Sequence, residues 1–350
     1  MRVVVTGATG NVGTSVLRAL GADDAVEEIV GLARRTPELS LPKVSWRSAD
    51  IVEDDLVEIF GGADAVVHLA WLIQPSRDEA KLRAVNVDGS VRVFDAVSKA
   101  RVTSLVYASS VGAYSPGPKD RYVDELWPTD GIETSFYSRH KAEVERLLDE
   151  FERGEPGVRV VRLRPGLIFK DEAGTEIRRL FVGPFAPRPL FNRRLIPIVP
   201  RIARLRFQAV HTDDVAEAYR LAVVGTASGP FNIAADPVLD ADELARALGA
   251  RTIPVPAAAV RALAAVTWRA RLQPTPPGWL DMALAAPLMD SSLARTELGW
   301  EPRHSSVDAL LEVLEGMRRG AGGQTPPLDP DSSGPLRREE LRTGVGGKDL

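Results

Sequence analysis

Short apolar, β-branched runs alternate with stretches of helical period through the first half of the chain. The runs at 2–7 (RVVVTG), 27–35 (EEIVGLARR), 43–50 (KVSWRSAD), 63–71 (ADAVVHLAW), 102–110 (VTSLVYASS) and 158–165 (VRVVRLRP) predict strands. Helices fit 12–20, 55–60 and 78–100. Another begins at Tyr137, where Val144, Leu147, Leu148 and Phe151 recur at helical spacing with charges between them. Runs such as Val3-Val4-Val5 and Ala65-Val66-Val67 are apolar on both sides, which suits a sheet covered on both faces. The alternation predicts an α/β fold, a doubly wound parallel sheet, over residues 1–170.

The pattern loosens after Pro165. Residues 171–205 are rich in Pro, Arg and Phe and fit neither a strand nor a helix. "FQAVHTDDVAEAYRLAV" (207–223) reads as strand then helix, and "GPFNIA" (229–234) as a short strand. Helices fit 240–248, 256–270 and 291–298. The expectation is a second, smaller region over 171–317, interleaved with the sheet edge, with 207–234 returning to the sheet. From 318 to 350 the chain is Gly, Pro and charge rich, the composition of a disordered tail. There is no internal repeat.

Composition narrows the function. The 350 residues are 44% hydrophobic and 26% charged, ordinary for a globular protein, and the net charge of −4 leaves no electrostatic footprint for nucleic acid. The absence of cysteine rules out disulfides and thiolate chemistry, and four scattered histidines argue against a metal site. No apolar run reaches the roughly 20 residues of a membrane helix. "MRVVVTG" enters a strand directly, without a signal peptide, so a cytoplasmic protein with no membrane partner is expected.

Two motifs carry chemistry. "TGATGNVG" sets Gly7, Gly10 and Gly13 between the first strand and first helix, where glycines let a backbone approach a pyrophosphate and a helix N-terminus favours the anion. "YSRHK" puts Tyr137 and Lys141 four residues apart, on one helix face. Alone, that pair is as compatible with a decorated surface turn as with catalysis.

Six ordered stretches give it context: the glycine loop, "VVHLAW" (66–71), "AVNVDGSVRVFDA" (84–96), "LVYASSVGAY" (105–114) with "YSRHK", "VHTDDVAEA" (210–218) and "DSSLARTELGWEP" (290–302). Over roughly 1–316 they resemble the extended short-chain dehydrogenase/reductase superfamily, in its NAD-dependent epimerase/dehydratase branch. The resemblance implies a Rossmann-type nucleotide-binding domain followed by a substrate-binding region. It also implies a catalytic trio, in which Tyr137 exchanges a proton with a substrate hydroxyl or carbonyl, Lys141 supports it, and Ser110 holds the substrate oxygen. Ser110 is preferred to Ser109 because it stands four residues before Tyr114. The implied cofactor contacts are Gly7, Thr9, Gly10, Asn11, Val12 and Gly13 of the loop; Asp50 and Ile51; Leu69, Ala70 and Trp71; Asn86 and Ser109; Tyr137 and Lys141; and Pro165, Leu167 and Ile168. A nearby ammonium and an oxidised nicotinamide would both lower the tyrosine pKa.

The second strand ends at Ala33, where an NAD site usually places a carboxylate, and Arg34 and Arg35 follow. This favours NADP, with NAD as the alternative. The resemblance also implies a homodimer, formed by helix 78–100 and the Tyr137 helix; for Val144, Leu148 and Phe151, a place on the shared face and burial within the monomer are equally open. A small-molecule substrate is expected, smaller or more apolar than a nucleotide sugar. No arginine lies between Arg271 and Arg295, Arg206 is out of register, and Trp71, Phe181, Phe185 and Phe191 add apolar bulk. The cations Arg178, Arg179, Arg193 and Arg194 sit in a stretch read as a solvated rim. The rivals are a nucleotide-sugar epimerase and a non-catalytic, cofactor-sensing regulator. A 4,6-dehydratase lacks its acidic pair, because Val111-Gly112 follow Ser110. His68 reads as a core histidine, and His211, Asp213 and Asp214 as a helix start. His140 shares the tyrosine helix without needing to face the site.

Overall fold

In a computed structural model, residues 1–73, 77–182 and 188–329 are described. Seven parallel strands form one sheet, in the spatial order Gly229–Ile233, Arg159–Pro165, Ser104–Ala108, Ala65–His68, Arg2–Thr6, Glu28–Ala33 and Val44–Ser48. All seven fall within the runs read from the sequence. Val4 pairs with both Val30 and Val66, Val66 with Leu105, and Leu105 with Val160. This row belongs to one core, whereas Val3 and Val5 belong to the core on the opposite face. The strands are therefore apolar on both sides because both sides are covered.

The order in which the chain adds strands reverses between Arg2–Thr6 and Ala65–His68: the second and third strands lie to one side of the first, the fourth and later ones to the other. A crevice opens there at the carboxyl ends of the strands, the place where open α/β sheets bind ligands. Asn11–Gly21 and Thr212–Val224 cover one face, and Gly89–Lys99 and Phe136–Gly154 cover the other. The expected long helix at 78–100 is helical from Glu79 to Lys99, with a π turn at Ala84–Asp88 that carries Asn86.

Three expectations change. Ala209–His211 does not join the main sheet. It pairs in parallel with Leu167–Phe169, and only Gly229–Ile233 returns. Ile198–Ile202 and Arg251–Val255 form a two-strand sheet that their proline-rich composition concealed. Of the segment 318–350, residues 318–329 are ordered. Arg318 and Arg319 end a helix, Leu328 is buried, and the buried Thr325 Oγ1 donates to Thr9 O at 2.7 Å. One leucine and one threonine anchor a run too polar to read as structured. Residues 330–350 lie outside the described residues. Of the two places open to Val144, Leu148 and Phe151, the structure shows the monomer core: Val144 and Leu148 are wholly buried there and Phe151 packs against it. The outward side of these helices carries instead the ion pairs of Arg83 with Asp88 and Glu143.

Candidate active site

The glycine loop is shaped by close approach. Gly7 has φ +67°, and a Cβ on it would lie 2.6 Å from Ala70 N. A Cβ on Gly13 would lie 2.4 Å from Gly7 O. The helix that follows is capped by Gly10, which has no side chain to offer, so its first-turn N–H groups face outward without a side-chain partner. Asn11 accepts from Thr212 Oγ1 at 3.3 Å, Val12 is half-buried, and Thr9 is buried under Thr325. The arrangement fits a pyrophosphate. Arg34 and Arg35 are exposed just beyond the second strand. Asp50 attracts Arg34, while Arg35 makes no ion pair among the described residues. Ile51 packs against Gly89, and its carbonyl accepts from Arg92.

The loop after the fourth strand is fixed from both sides. Leu69 N donates to Thr6 O, and Ala70 N to Thr6 Oγ1. Asn86 is fully buried and clamps the next turn, accepting from Leu72 N at 2.7 Å and donating to Leu72 O at 3.1 Å. His68 is a core residue, as the sequence suggests. It bonds Thr6 and Ser90, and burial, aided by the Lys141 charge, pushes its pKa down to about 3.

Ser110, Tyr137 and Lys141, the trio expected to be catalytic, converge at the end of the fifth strand. Ser110 caps the short turn Val111–Ala113, accepting from Gly112 N at 3.0 Å. The Tyr137 ring lies against Gly112, so close that a Cβ there would sit 2.8 Å from Tyr137 Cε1. Lys141 Nζ donates to Ala108 O at 2.6 Å and lies 6.0 Å from the Tyr137 ring centroid. Both side chains are buried. Burial pushes the Tyr137 pKa up to about 12, with the Ser110 hydrogen bond pulling the other way. Burial also holds Lys141 well below its ordinary value, opposed by Glu145. The protein alone thus raises the tyrosine, against the expectation of a lowered value: desolvation outweighs the Ser110 hydrogen bond. Pro165 ends its strand in this crevice, Leu167 is partly exposed, and Ile168 pairs with Val210.

Ser109 points elsewhere. Its hydroxyl donates at 2.5 Å to Glu145, a fully buried carboxylate that also accepts from Arg162 at 2.9 Å and from Arg164 at 2.8 and 2.9 Å. Burial would raise the Glu145 pKa, but the two guanidiniums bring it down to about 2. The sequence signal for this network was the pair of arginines inside an otherwise apolar strand, with one glutamate two turns after Tyr137.

Aromatic rings line the open side. Gly278 begins a helix pressed against Thr134, where a Cβ would sit 2.2 Å from the carbonyl oxygen. The next residue, Trp279, meets the Tyr137 ring at 5.0 Å and 33°, and Phe181 at 4.9 Å edge-on. Trp71 meets Tyr137 edge-on at 6.0 Å. The indole N–H groups of Trp71 and Trp279 are both buried without a hydrogen-bond partner. Two such donors beside Tyr137 suit a ligand that brings acceptors. Phe191 makes no ring contact among the described residues, and Phe185 lies outside them. Arg206, considered as a phosphate ligand, donates to Lys119 O at 2.5 Å, while Lys119 Nζ donates to Arg206 O. His211 caps the helix Thr212–Val224, accepting from Asp213 N, and no metal-holding cluster occurs among the described residues.

A family model described as "NAD dependent epimerase/dehydratase family" matches residues 3–234. An uncharacterised protein of Mycobacterium tuberculosis is 26% identical over 325 residues, covering 92% of this chain; the chain spans only 31% of that relative's length. The L-arabinose 1-dehydrogenase (NAD(P)(+)) of Haloferax volcanii is 38% identical over 109 residues, which are 31% of this chain and 41% of that protein. The UDP-glucose 4-epimerase of Thermotoga maritima, solved with UDP-glucose, superposes with a TM-score of 0.69 at 21% identity, covering 91% of this chain and 99% of that one.

Proposed function

Because the chain belongs to the NAD dependent epimerase/dehydratase family, we propose that it is a nicotinamide-dependent oxidoreductase acting at a hydroxyl- or carbonyl-bearing carbon of a small or apolar substrate. The bound nicotinamide supplies the hydride chemistry. Tyr137 exchanges the proton at the substrate oxygen, and Ser110 orients that oxygen. Lys141 spends one N–H on Ala108 O and keeps others for the cofactor ribose. The crevice loop holds the pyrophosphate at Gly10–Gly13. NADP is preferred over NAD, supported by Ala33 at the strand end and the exposed Arg34 and Arg35 beyond it.

The substrate class rests on one observation: Trp279, stacked on Tyr137 and walled by Phe181. Its helix occupies the stretch where a nucleotide-sugar enzyme would be expected to supply a diphosphate-binding arginine. Arg206 is engaged with the Lys119 carbonyl, which also disfavours a diphosphate there. The second reading, a nucleotide-sugar epimerase, draws support from the UDP-glucose-bound structure of the Thermotoga enzyme. Calorimetric titration of the cofactor-loaded protein with UDP and dTDP, beside turnover assays on apolar ketones and alcohols, separates the two. Tight diphosphate binding without alcohol or ketone turnover overturns the first reading.

A further inference from the structure

The helix Ala257–Arg269 breaks the rule that a helix turns its apolar side inward. None of its residues is buried. Trp268 is half-buried, with Arg77 stacked on its ring at 3.9 Å, and Arg261 is tied to Asp281, so that side faces the protein. The opposite side, Ala259, Ala262, Leu263 and Val266, follows helical spacing and is exposed, Leu263 by 64% and Val266 by 62%. Leu272, just beyond the helix, and Ile253, in the strand just before it, are exposed as well.

Charge is distributed just as unevenly. Between Glu176 and Asp213 the chain has eight arginines, and between Glu243 and Asp281 it has five; neither stretch contains an acidic residue. All 48 acidic residues lie elsewhere in the sequence, and four of them, Asp240, Asp242, Glu243 and Asp281, pair with Arg206, Arg201, Arg246 and Arg261. Arg251, which opens the strand before the helix, and Arg269, which ends the helix, are exposed and without an ion pair among the described residues.

We propose that this face docks on an anionic lipid surface, with Leu263 and Val266 entering the headgroup boundary and the flanking arginines meeting lipid phosphates. An exposed apolar strip rimmed by arginine is the pattern of a helix that lies on a membrane without crossing it. No described helix is long and apolar enough to cross one. The sequence expectation of no membrane partner rested on the absence of a spanning segment, which does not bear on a helix lying flat. A second copy of the chain fits less well, because a two-fold contact on this strip would bring its unpaired arginines toward their own copies. Trp268, in the last turn of the same helix, lines with Trp279 and Phe136 a groove of about 400 Å³.

The test is flotation of the full-length protein with phosphatidylcholine vesicles, with and without phosphatidylglycerol, alongside light scattering of the protein alone. Binding is expected only to the anionic vesicles and is expected to weaken with salt. Leu263→Asp with Val266→Asp should reduce it by more than about ten-fold, and Arg251→Gln or Arg269→Gln by about five-fold each. All four side chains are exposed, so unchanged circular-dichroism melts verify folding. Failure to float with anionic vesicles, or binding unchanged in the Asp variant, overturns the proposal. So does a dimer that Leu263→Asp dissociates, which would assign the face to a second copy.

Discussion

Lys141 Nζ lies 3.4 Å from the centroid of the Trp71 ring while donating to Ala108 O. The contact is desolvated, where a cation–π pair is worth about 2 kcal/mol. Trp71 also sits on the loop that Gly7 approaches, so it couples the lysine to the cofactor crevice. Trp71→Ala is expected to weaken NADP binding roughly ten-fold by calorimetry, and Trp71→Phe to restore most of it. Equal affinity in the alanine variant would remove Trp71 from the cofactor site.

Glu145 holds two buried arginines at once. Removing one partner from such a network strands the others, at a cost of about 3–5 kcal/mol. Glu145→Ala should therefore lower the urea midpoint strongly or prevent folding, whereas Ser109→Ala should cost about 1 kcal/mol. A mild effect in the Glu145 variant would mean that solvent reaches the arginines.

His68 and Glu145 make stability fall in acid. Burial sets the folded pKa of His68 at about 3, below the ordinary 6.5, so the unfolded chain takes up the proton first. Its contribution is full above pH 6.5 and is lost as pH falls toward 3. Glu145, at about 2 against 4.5, adds a second loss below pH 4.5. At about 1.4 kcal/mol per unit, the two together amount to several kcal/mol. Unfolding free energies measured from about pH 7 to pH 4 should decline, and His68→Gln should flatten that decline. An equal slope in both proteins would contradict the assignment.

The strands were legible because most are short apolar, β-branched runs bounded by turn residues, Val3-Val4-Val5 being the clearest. Gly7, Gly10, Gly13, Tyr137 and Lys141 were legible because their spacing is local. What escaped depends on distant pairing. Glu145 meets Arg162 and Arg164 only through the sheet, and Trp279 reaches Tyr137 only because Gly278 lets its helix abut Thr134. Thr325 reaches Thr9 from the far end of the chain, out of a segment whose composition alone indicates disorder.

The proposed preference for NADP rests on Arg34 and Arg35. If they bind the 2′-phosphate, the double variant to alanine should lose more than about ten-fold in NADPH affinity and little in NADH affinity. Fluorescence titration with both reduced cofactors measures this. Tighter NADH binding by the unmodified protein would reverse the preference.

The account stands or falls on Tyr137. Its ring rests against Gly112 beside Ser110, and burial raises its pKa to about 12. The most direct measurement is the turnover of Tyr137→Phe on a substrate found by screening alcohols and ketones, together with its cofactor dissociation constant. Loss of about a hundred-fold or more in turnover, with cofactor affinity within about three-fold of the unmodified protein, is the predicted result. A phenylalanine variant that kept more than about a tenth of the rate would show that the proton is carried by another group.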